Sequence, residues 1–329
     1  MMRMLIVVYL WFLVLAGNAW AAPEAMITLK LLDDEGQEVS GMPVRVGFFE
    51  GKQNRGITDT NGMFTAGGHA ISGQATFSVM EDGWYYSHGV FTFPKAGQPW
   101  SNAVSGDKWQ PWNPVVTMVV KRIVNPIAMY AKHVKTMIPT TNVAFGYDLV
   151  FGDWVRPAGN GVVSDLVFRI DGHWEDYRNN DSVLRLNFSQ PKDGLVPVDY
   201  EVLYGNPSGS ALFMPRYAYE AGYVSSGRWR KASMQAQTDD DRDGVVSDTR
   251  QGRGYLVRVR STTNRTGVVT NAYYGKIPDD FVFGAAGTNG GLLSFTYYLN
   301  PTPNDRNLEF DPKQNLFKDL KPMEQVREP

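Results

Sequence analysis

The sequence predicts an all-β fold, with an N-terminal β-sandwich followed by a larger β-sandwich-like domain. Three features carry this prediction. Aromatic residues make up 13% of the 329 residues, and 33 glycines and 19 prolines punctuate the chain. Between these turn residues, short segments alternate apolar and polar side chains, as strands do in sheets that are buried on one face. The length exceeds one small sandwich and suits two domains.

The first 21 residues have the pattern of a signal peptide. Arg3 provides a basic start, Leu5 to Leu15 is an unbroken apolar run, and Ala19-Trp20-Ala21 is a typical cleavage pattern. The run is shorter than the roughly 20 residues that a membrane-spanning helix needs. We therefore expect an exported protein, periplasmic or extracellular, without a transmembrane span after cleavage.

Cysteine content and charge narrow the class further. The chain contains no cysteine, and its net charge at pH 7 is −2. Without disulfides, an exported protein depends on its core and on any bound ions, and this composition favours a bacterial protein over an animal one. Near-neutral charge lacks the basic footprint of nucleic-acid binding. An envelope protein or a glycan is therefore the expected partner, and nucleic acid is not.

Residues 22–124 are predicted to form the first domain. Alternating segments are separated by turns, and Asn61-Gly62 offers the left-handed backbone of a tight hairpin. The stretch G-x-T-D-x-N-G-x-F at 56–64, with Gly83-Trp84-Tyr85 behind it, resembles the carboxypeptidase regulatory-like module, a prealbumin-type β-sandwich, over residues 25–90. The resemblance implies a spacer, folding aid or binding module, because this module is the non-catalytic companion in its family. None of the four histidines pairs with a glutamate at zinc spacing.

Three tryptophans, Trp100, Trp109 and Trp112, lie in a loop rich in proline and glycine that closes this domain. Two interpretations are open. Exposed rings would form a platform that stacks on sugars, whereas buried rings would fold back as a lid over the edge of the sandwich. The buried arrangement is favoured, because large aromatic side chains are mostly buried when a core is available.

Residues 125–310 are predicted to form the larger β domain, and 311–329 a C-terminal tail. The stretch 127–137 fits a helix and a strand about equally, and the all-β surroundings favour the strand. G-Y-D-L-x-x-x-D-W-V-x-P at 146–157, Tyr274-Gly275-Lys276-Ile277 and 295–301 resemble a group of uncharacterised exported bacterial proteins. That resemblance implies a genuine domain and no particular chemistry.

Asp148, Asp153 and Asp165 are candidate carboxylates for catalysis. Glycoside hydrolysis needs two carboxylates at a suitable separation, which the spacing of residues in a sequence cannot supply. Aspartates that cap turns beside glycine are far commoner than catalytic pairs. The sequence therefore favours a non-catalytic role, with a carbohydrate-active enzyme as the alternative.

The densest acidic stretch offers one candidate ion site. Asp239, Asp241 and Asp243 occupy positions 1, 3 and 5 of a D-x-D-x-D-G pattern, where carboxylates wrap Ca²⁺. The carbonyl of Val245 would add an oxygen, and Asp248 would close the site. Arg250 stands where an EF-hand has its bidentate glutamate, so a true EF-hand is not expected. The alternative is an exposed hairpin with Asp243-Gly244 as its turn.

Together these features predict an exported, non-catalytic binding or structural protein of the bacterial envelope or extracellular space, with calcium as a stabilising ion. The alternatives are a carbohydrate-active enzyme and a carbohydrate-binding protein. A cleft that holds two of the candidate aspartates would favour the enzyme, and a flat row of exposed tryptophans would favour sugar binding.

Overall fold

A computed structural model of the chain describes residues 22–48, 53–94, 103–174, 180–203, 206–232, 245–248, 252–286 and 290–329. The predicted signal peptide, residues 1–21, lies outside them. The described residues are strands and turns, with one 3-10 turn at Pro322–Glu324, so the all-β prediction is confirmed. No described helical segment combines the length and hydrophobicity that a membrane-spanning helix requires.

The described residues of the first part form nine strands. They are β1 (Glu24–Leu32), β2 (Pro43–Phe48), β3 (Asn54–Ile57), β4 (Met63–His69), β5 (Gln74–Val79), β6 (Ser87–Thr92), β7 (Val104–Ser105), β8 (Lys108–Trp109) and β9 (Val115–Val119).

The second part adds sixteen described strands. They are β10 (Ile127–Ile138), β11 (Phe145–Asp148), β12 (Asp153–Trp154), β13 (Leu166–Trp174), β14 (Asn180–Phe188), β15 (Gly194–Asp199), β16 (Val202–Leu203), β17 (Asn206–Pro207), β18 (Gly209–Ser210), β19 (Ser226–Ala232), β20 (Val245–Asp248), β21 (Arg253–Thr263), β22 (Val269–Ile277), β23 (Val282–Ala286), β24 (Gly290–Leu299) and β25 (Phe310–Asn315). The extended interpretation of 127–137 is confirmed by β10.

The first part is a two-sheet sandwich. One sheet has the order β4-β1-β8-β7, with β9 also paired to β1, and the other has the order β18-β6-β5-β2-β3. Alternate residues of β2 and β5 point inward, as the two-residue period of a strand requires. They enclose a core that includes Ile27, Val46 and Phe77.

The 58–62 turn explains the motif that carries the module resemblance. The Asp59 carboxylate accepts hydrogen bonds from the amides of Asn61 at 2.9 Å and Met63 at 2.8 Å. Gly62 has a φ of +69°, which favours glycine. The buried Thr58 hydroxyl donates to the carbonyl of Val39 at 2.7 Å. The expected hairpin is wrong in one respect, because the turn joins β3 and β4, which belong to different sheets.

The second part packs a seven-stranded sheet on a six-stranded sheet. The first contains β15-β21-β22-β24-β10-β25 with β23 beside β24, and the second contains β12-β11-β13-β14-β19-β20. Between them lies the largest core, where Phe281 contacts the rings of Phe168, Trp229 and Tyr255 at centroid distances of 5.7, 4.7 and 5.7 Å. Both parts are therefore β-sandwiches, as predicted.

The two parts are joined by strand pairing and by a buried carboxylate. Strand β18 pairs antiparallel with β6 and so extends the first sandwich. Glu309 is 0% exposed and accepts hydrogen bonds from the Tyr85 hydroxyl at 2.8 Å and from the amides of Val124 and Asn125 at 2.9 Å. It also forms an ion pair with Arg216 at 2.7 Å. Burial alone would raise the pKa of Glu309, but Arg216 and these donors hold it below its usual range.

The predicted tail at 311–329 begins inside the second sandwich. Strand β25 runs from Phe310 to Asn315 and pairs in parallel with β10. The Asn315 side chain donates to the Ala131 carbonyl at 2.7 Å, and Lys132 pairs with Glu324 at 3.2 Å. Backbone pairing therefore continues beyond residue 310, where the sequence places the start of the tail.

Lys276 is a buried amine near this junction. It is 1% exposed, and its Nζ has no hydrogen-bond partner among the described residues. The amine lies 4.7 Å from the centroid of the Tyr298 ring, a cation–π contact. Burial, and after it the charge of Lys121, lowers the pKa of Lys276 to about 7, against the opposing effect of Glu309.

We expect Lys276→Met to stabilise the protein at neutral pH. The folded pKa of about 7 lies below the value of about 10.4 for an unfolded lysine, so the unfolded chain binds more protons between these values. Stability of the wild type should therefore rise as the pH increases through this window. The substitution should remove that rise and add on the order of a few kcal/mol to the free energy of unfolding at pH 7.

Urea titrations at several pH values across the window measure this effect. Lys135→Met, at an exposed position of β10 in the same sheet, is the control and should keep the wild-type pH dependence. A Lys276→Met protein with the same slope as the wild type would show that Lys276 is not the group responsible.

Candidate functional site

Three buried aspartates converge on one arginine at the edge of the second sandwich. Asp148 ends β11, Asp165 directly precedes β13 and Asp193 directly precedes β15; their exposed fractions are 3%, 1% and 2%. Arg260 lies on β21, where the pairing register with β22 shifts between Val259 and Thr262. Its φ of +54° is a left-handed conformation that is uncommon for a residue with a side chain.

The Arg260 guanidinium bridges two of these carboxylates. Its Nε and Nη2 each donate to Asp165 at 2.8 Å, and Nη2 also donates to Asp148 at 2.8 Å. The backbone amides of Arg260 and Ser261 donate to Asp193 at 2.9 and 2.8 Å. The four residues, Asp148, Asp165, Asp193 and Arg260, are called the Arg260 cluster below.

Backbone amides occupy the remaining oxygen positions of Asp148. One oxygen accepts from Val150 and Phe151, and the other accepts from Val162 and Val163, all at 3.0 Å. Burial alone would raise the pKa of Asp148, but these amides and Arg260 together hold it below its usual range. The side chain is therefore ionised and closes two successive loops.

Asp165 and Asp193 are shifted in the opposite direction. Burial raises the pKa of Asp165 despite its hydrogen bonds to Arg260 and to the Leu149 amide. Burial likewise raises the pKa of Asp193 against the hydrogen bonds from Ser261 and Arg260. The cluster thus holds two neighbouring carboxylates whose pKa values are pushed apart, an arrangement that acid–base enzymes also use.

A cavity of about 280 Å³ lies beside the cluster. Asp165, Asp193, Arg260, Gln190 and Ser261 contribute to its lining. Both carboxylates that line the cavity already have internal partners: Asp165 pairs with Arg260 and accepts from the Leu149 amide, and Asp193 accepts from the amides of Arg260 and Ser261. The Arg260 cluster links the two sheets of the second sandwich, because β21 belongs to the seven-stranded sheet while β11 and β13 belong to the six-stranded one. This link between the sheets is called the cross-brace below.

The sequence located part of this site. Asp148 and Asp165 both accept a hydrogen bond from the same nitrogen, Nη2 of Arg260, each at 2.8 Å. The two accepting oxygens are therefore no farther apart than twice that distance. Asp153 lies opposite Asp148 in the β11–β12 pair, but its carboxylate does not bind Arg260. It accepts from the amides of Trp154 and Asn160 at 2.8 and 2.9 Å within its own turn. Arg260 was not predicted, because 95 residues separate it from Asp165 and no spacing pattern connects them.

The prediction that Trp109 belongs to an exposed, sugar-binding platform is wrong. Its ring is 1% exposed, and its indole N–H donates to the Ala70 carbonyl at 2.6 Å. Trp112 is half-buried with the Lys108 amine 4.5 Å from its ring centroid, and Trp100 lies outside the described residues. Trp109 instead packs on Phe93 inside the first sandwich, as the lid interpretation expects.

The acidic stretch lies mostly outside the described residues. This applies to Asp239, Asp241 and Asp243, while Val245 and Asp248 are the first and last residues of β20. Strand β20 pairs in parallel with β19, with Val245 opposite Gly227. The alternative hairpin turn at Asp243-Gly244 also lies outside the described residues. Among the described residues, no group of three or more His, Asp or Glu side chains is suited to hold a metal ion.

Comparisons with known proteins identify no relative by sequence: no family model matches the chain, and no curated protein matches it significantly. Among solved structures, 3-chlorocatechol 1,2-dioxygenase from Rhodococcus opacus is 10% identical with a TM-score of 0.23, over 32% of this chain and 62% of the dioxygenase. The chain thus spans less than two thirds of that enzyme's length.

Two further structures align over more of the chain. A DUF3823 family protein from Parabacteroides merdae is 9% identical with a TM-score of 0.21, over 88% of this chain and 100% of that one. The shaft pilin spaA from Lactobacillus rhamnosus GG is 12% identical with a TM-score of 0.22, over 53% and 90%. TM-scores of this size carry no argument about activity or partners.

We expect Arg260→Ala to destabilise the protein strongly. The substitution leaves two buried carboxylates without their counter-charge, and removing one partner of a buried ion pair costs about 3–5 kcal/mol. Chemical denaturation measures the loss. Arg169→Ala, which breaks an exposed pair with Asp171, is the matched control and should cost at most about 1 kcal/mol. Equal losses in the two variants would contradict the cross-brace.

Proposed function

We propose that this chain is an exported, non-catalytic binding or structural protein of the bacterial envelope or extracellular space. The observation that carries the proposal is the state of the two convergent carboxylates. Asp148 and Asp165 already accept hydrogen bonds from Arg260 and from backbone amides, so their carboxylate oxygens stabilise the fold. The signal-peptide pattern at 1–21 and the lack of cysteine support export.

The N-terminal sandwich is proposed to be a carboxypeptidase regulatory-like module. Its two-sheet architecture and the 58–62 turn support the assignment, since Thr58, Asp59 and Gly62 each have a defined structural task there. Such a module would act as a spacer or binding element beside the larger sandwich.

The alternative is a carbohydrate-active enzyme or carbohydrate-binding protein. It is favoured by one observation, the neighbouring Asp148 and Asp165 with opposed pKa shifts beside a cavity. Of the tryptophans proposed to bind sugar, Trp112 keeps a partly exposed ring.

Incubation of the mature protein with bacterial and plant glycans distinguishes the two functions. We expect no release of reducing sugar above that of a buffer control, and no difference between the wild type and Asp165→Asn. Because the substitution retains the shape of the side chain, a folded variant isolates the charge. Hydrolysis by the wild type that Asp165→Asn loses would establish the enzyme and overturn the proposal.

Calcium is proposed to bind at the acidic stretch through Asp239, Asp241, Asp243, the carbonyl of Val245 and Asp248. Three carboxylates at alternate positions followed by Gly244 support this proposal. A bound cation would also relieve the mutual repulsion of Asp239, Asp240, Asp241 and Asp243. Its role would be structural, in a protein without disulfides.

Thermal melts with excess EDTA and then with millimolar Ca²⁺ test the ion site. We expect Ca²⁺ to raise Tm in the wild type, because a ligand that binds only the folded state stabilises it, and Asp241→Ala to lose the increase. Asp82→Ala, at an exposed position of the first sandwich, should keep the full increase. Melts that do not respond to Ca²⁺ in any of the three proteins would remove the calcium proposal.

A further inference from the structure

The first sandwich has a cleft where its two sheets separate. At one end the sheets are joined by backbone hydrogen bonds. The Tyr85 amide donates to the Lys121 carbonyl at 2.9 Å, and Trp84 and Arg122 form an isolated antiparallel β-bridge. From this point β6 continues in one sheet and β9 in the other. The cleft lies between these two strands and is closed on its third side by residues of the second part.

Strand β6 presents an incomplete edge to the cleft. Strand β18 pairs with it only at Ser87 and His88. Along a strand of an antiparallel sheet, the amide and the carbonyl of one residue both point to the strand on one side, and those of the next residue both point to the other side. Since Phe93 donates to Gly73 on the β5 side, the outward residues after His88 are Val90 and Thr92. Their outward amides and carbonyls have no strand partner among the described residues.

Strand β9 presents a second open edge. It pairs in parallel with β1 and has no other described strand partner. The Pro114 carbonyl and the Val120 amide bond to β1, which places the even-numbered residues toward that strand. Val115, Thr117 and Val119 therefore direct their backbone groups outward. The side chains of Val115 and Val119 are 58% and 42% exposed.

One segment of the chain itself, β18, pairs with β6 at the edge of this cleft but does not continue along it. Strand β18 supplies two residues to the β6 edge, and the next residues in that direction are Ser208 and Pro207. Proline has no amide hydrogen to donate to a ladder. Pro207 pairs instead with Val202 in a separate two-stranded sheet, so the added strand ends there.

The remaining space is large enough for a ligand. The cavity measures about 480 Å³, within the range of known binding pockets. Phe91, Phe213 and Tyr200 give it aromatic walls, with the last two rings in contact at 4.6 Å between centroids. Glu201, an exposed residue whose carboxylate has no partner among the described residues, contributes to its lining.

We propose that this cleft binds an extended segment of a partner protein. The segment pairs with the open edge of β9 as an added strand, and it also extends the pairing along β6 that β18 begins. Unpaired backbone groups on both walls identify the ligand as a polypeptide main chain, because strand addition obtains its affinity from main-chain hydrogen bonds. The aromatic walls select apolar side chains at alternate positions, and Glu201 selects a basic side chain at one end. From Val115 to Val119 the edge accommodates about five residues of such a strand.

The proposal rests on the non-catalytic binding function above and names the class of its partner. Strand edges left open in this way normally promote aggregation, and natural proteins cover or blunt them. A partner strand would cover this edge.

The probe is a fluorescein-labelled heptapeptide of alternating valine and threonine with lysine at both ends, titrated into the mature protein by fluorescence anisotropy. We expect saturable binding that Thr117→Pro weakens about tenfold or more, since an outward amide is lost. Thr117→Val retains that amide and is the matched control; it should bind as the wild type does. Hydrogen exchange should show protection of the amides of Val115, Thr117 and Val119 on binding.

A second probe makes the test independent of the variants. The same heptapeptide with alternate amides N-methylated keeps its side chains and loses its main-chain donors, and it should not bind the wild-type protein. Equal binding of both peptides, or no binding up to about 1 mM, would overturn strand addition. Self-association of the wild type that Thr117→Pro abolishes would also overturn the proposal, because it would identify a second copy of the chain as the occupant.

These outcomes are separate from those of the proposed function. Absence of peptide binding leaves the glycan hydrolysis result unchanged, whereas hydrolysis lost in Asp165→Asn would overturn the function whether or not the peptide binds.

Discussion

The structure of the second part depends on the ion pairs between Arg260 and its aspartates. A large hydrophobic core lies between the two sheets, and the Arg260 cluster adds polar contacts that link one sheet to the other. Arg260 extends from one sheet and binds Asp148 and Asp165 of the other, while Asp193 holds its backbone in the left-handed conformation. The same contacts close the loops around 149–151 and 162–163, so sheet alignment and loop structure are coupled.

A similar arrangement joins the two sandwiches. Glu309 ties together Tyr85, Arg216 and the 124–125 link, and β18 adds to the sheet of the first sandwich. This junction contains Lys276, whose amine lacks a hydrogen-bond partner among the described residues. Buried groups without partners are costly, so the surrounding packing has to offset this one. The second part also forms the third side of the cleft between β6 and β9, which connects the junction to the proposed binding of a partner strand.

Local patterns predicted much of the fold. The all-β surroundings favoured the strand at 127–137, which is β10, and the turn chemistry of Asp59 and Gly62 appears in the structure as hydrogen bonds and a positive φ. The same reasoning failed where pairing is not local. It expected a hairpin at Asn61-Gly62, although the turn crosses between sheets. Strand pairing over long separations leaves no trace in a single sequence.

The sequence by itself determined the all-β class, the division into two sandwiches and the identity of several turn residues, because these follow from alternation, from chain length and from the backbone preferences of glycine, asparagine and aspartate. Only the tertiary structure decided what the functional candidates do. It placed Trp109 in the core, left the carboxylate of Asp153 outside the hydrogen bonds of Arg260, and supplied Arg260 as the counter-charge of Asp148 and Asp165. The physical reason is that burial, ion pairing and open strand edges depend on distances between residues far apart in the chain, which only the packed sheets set.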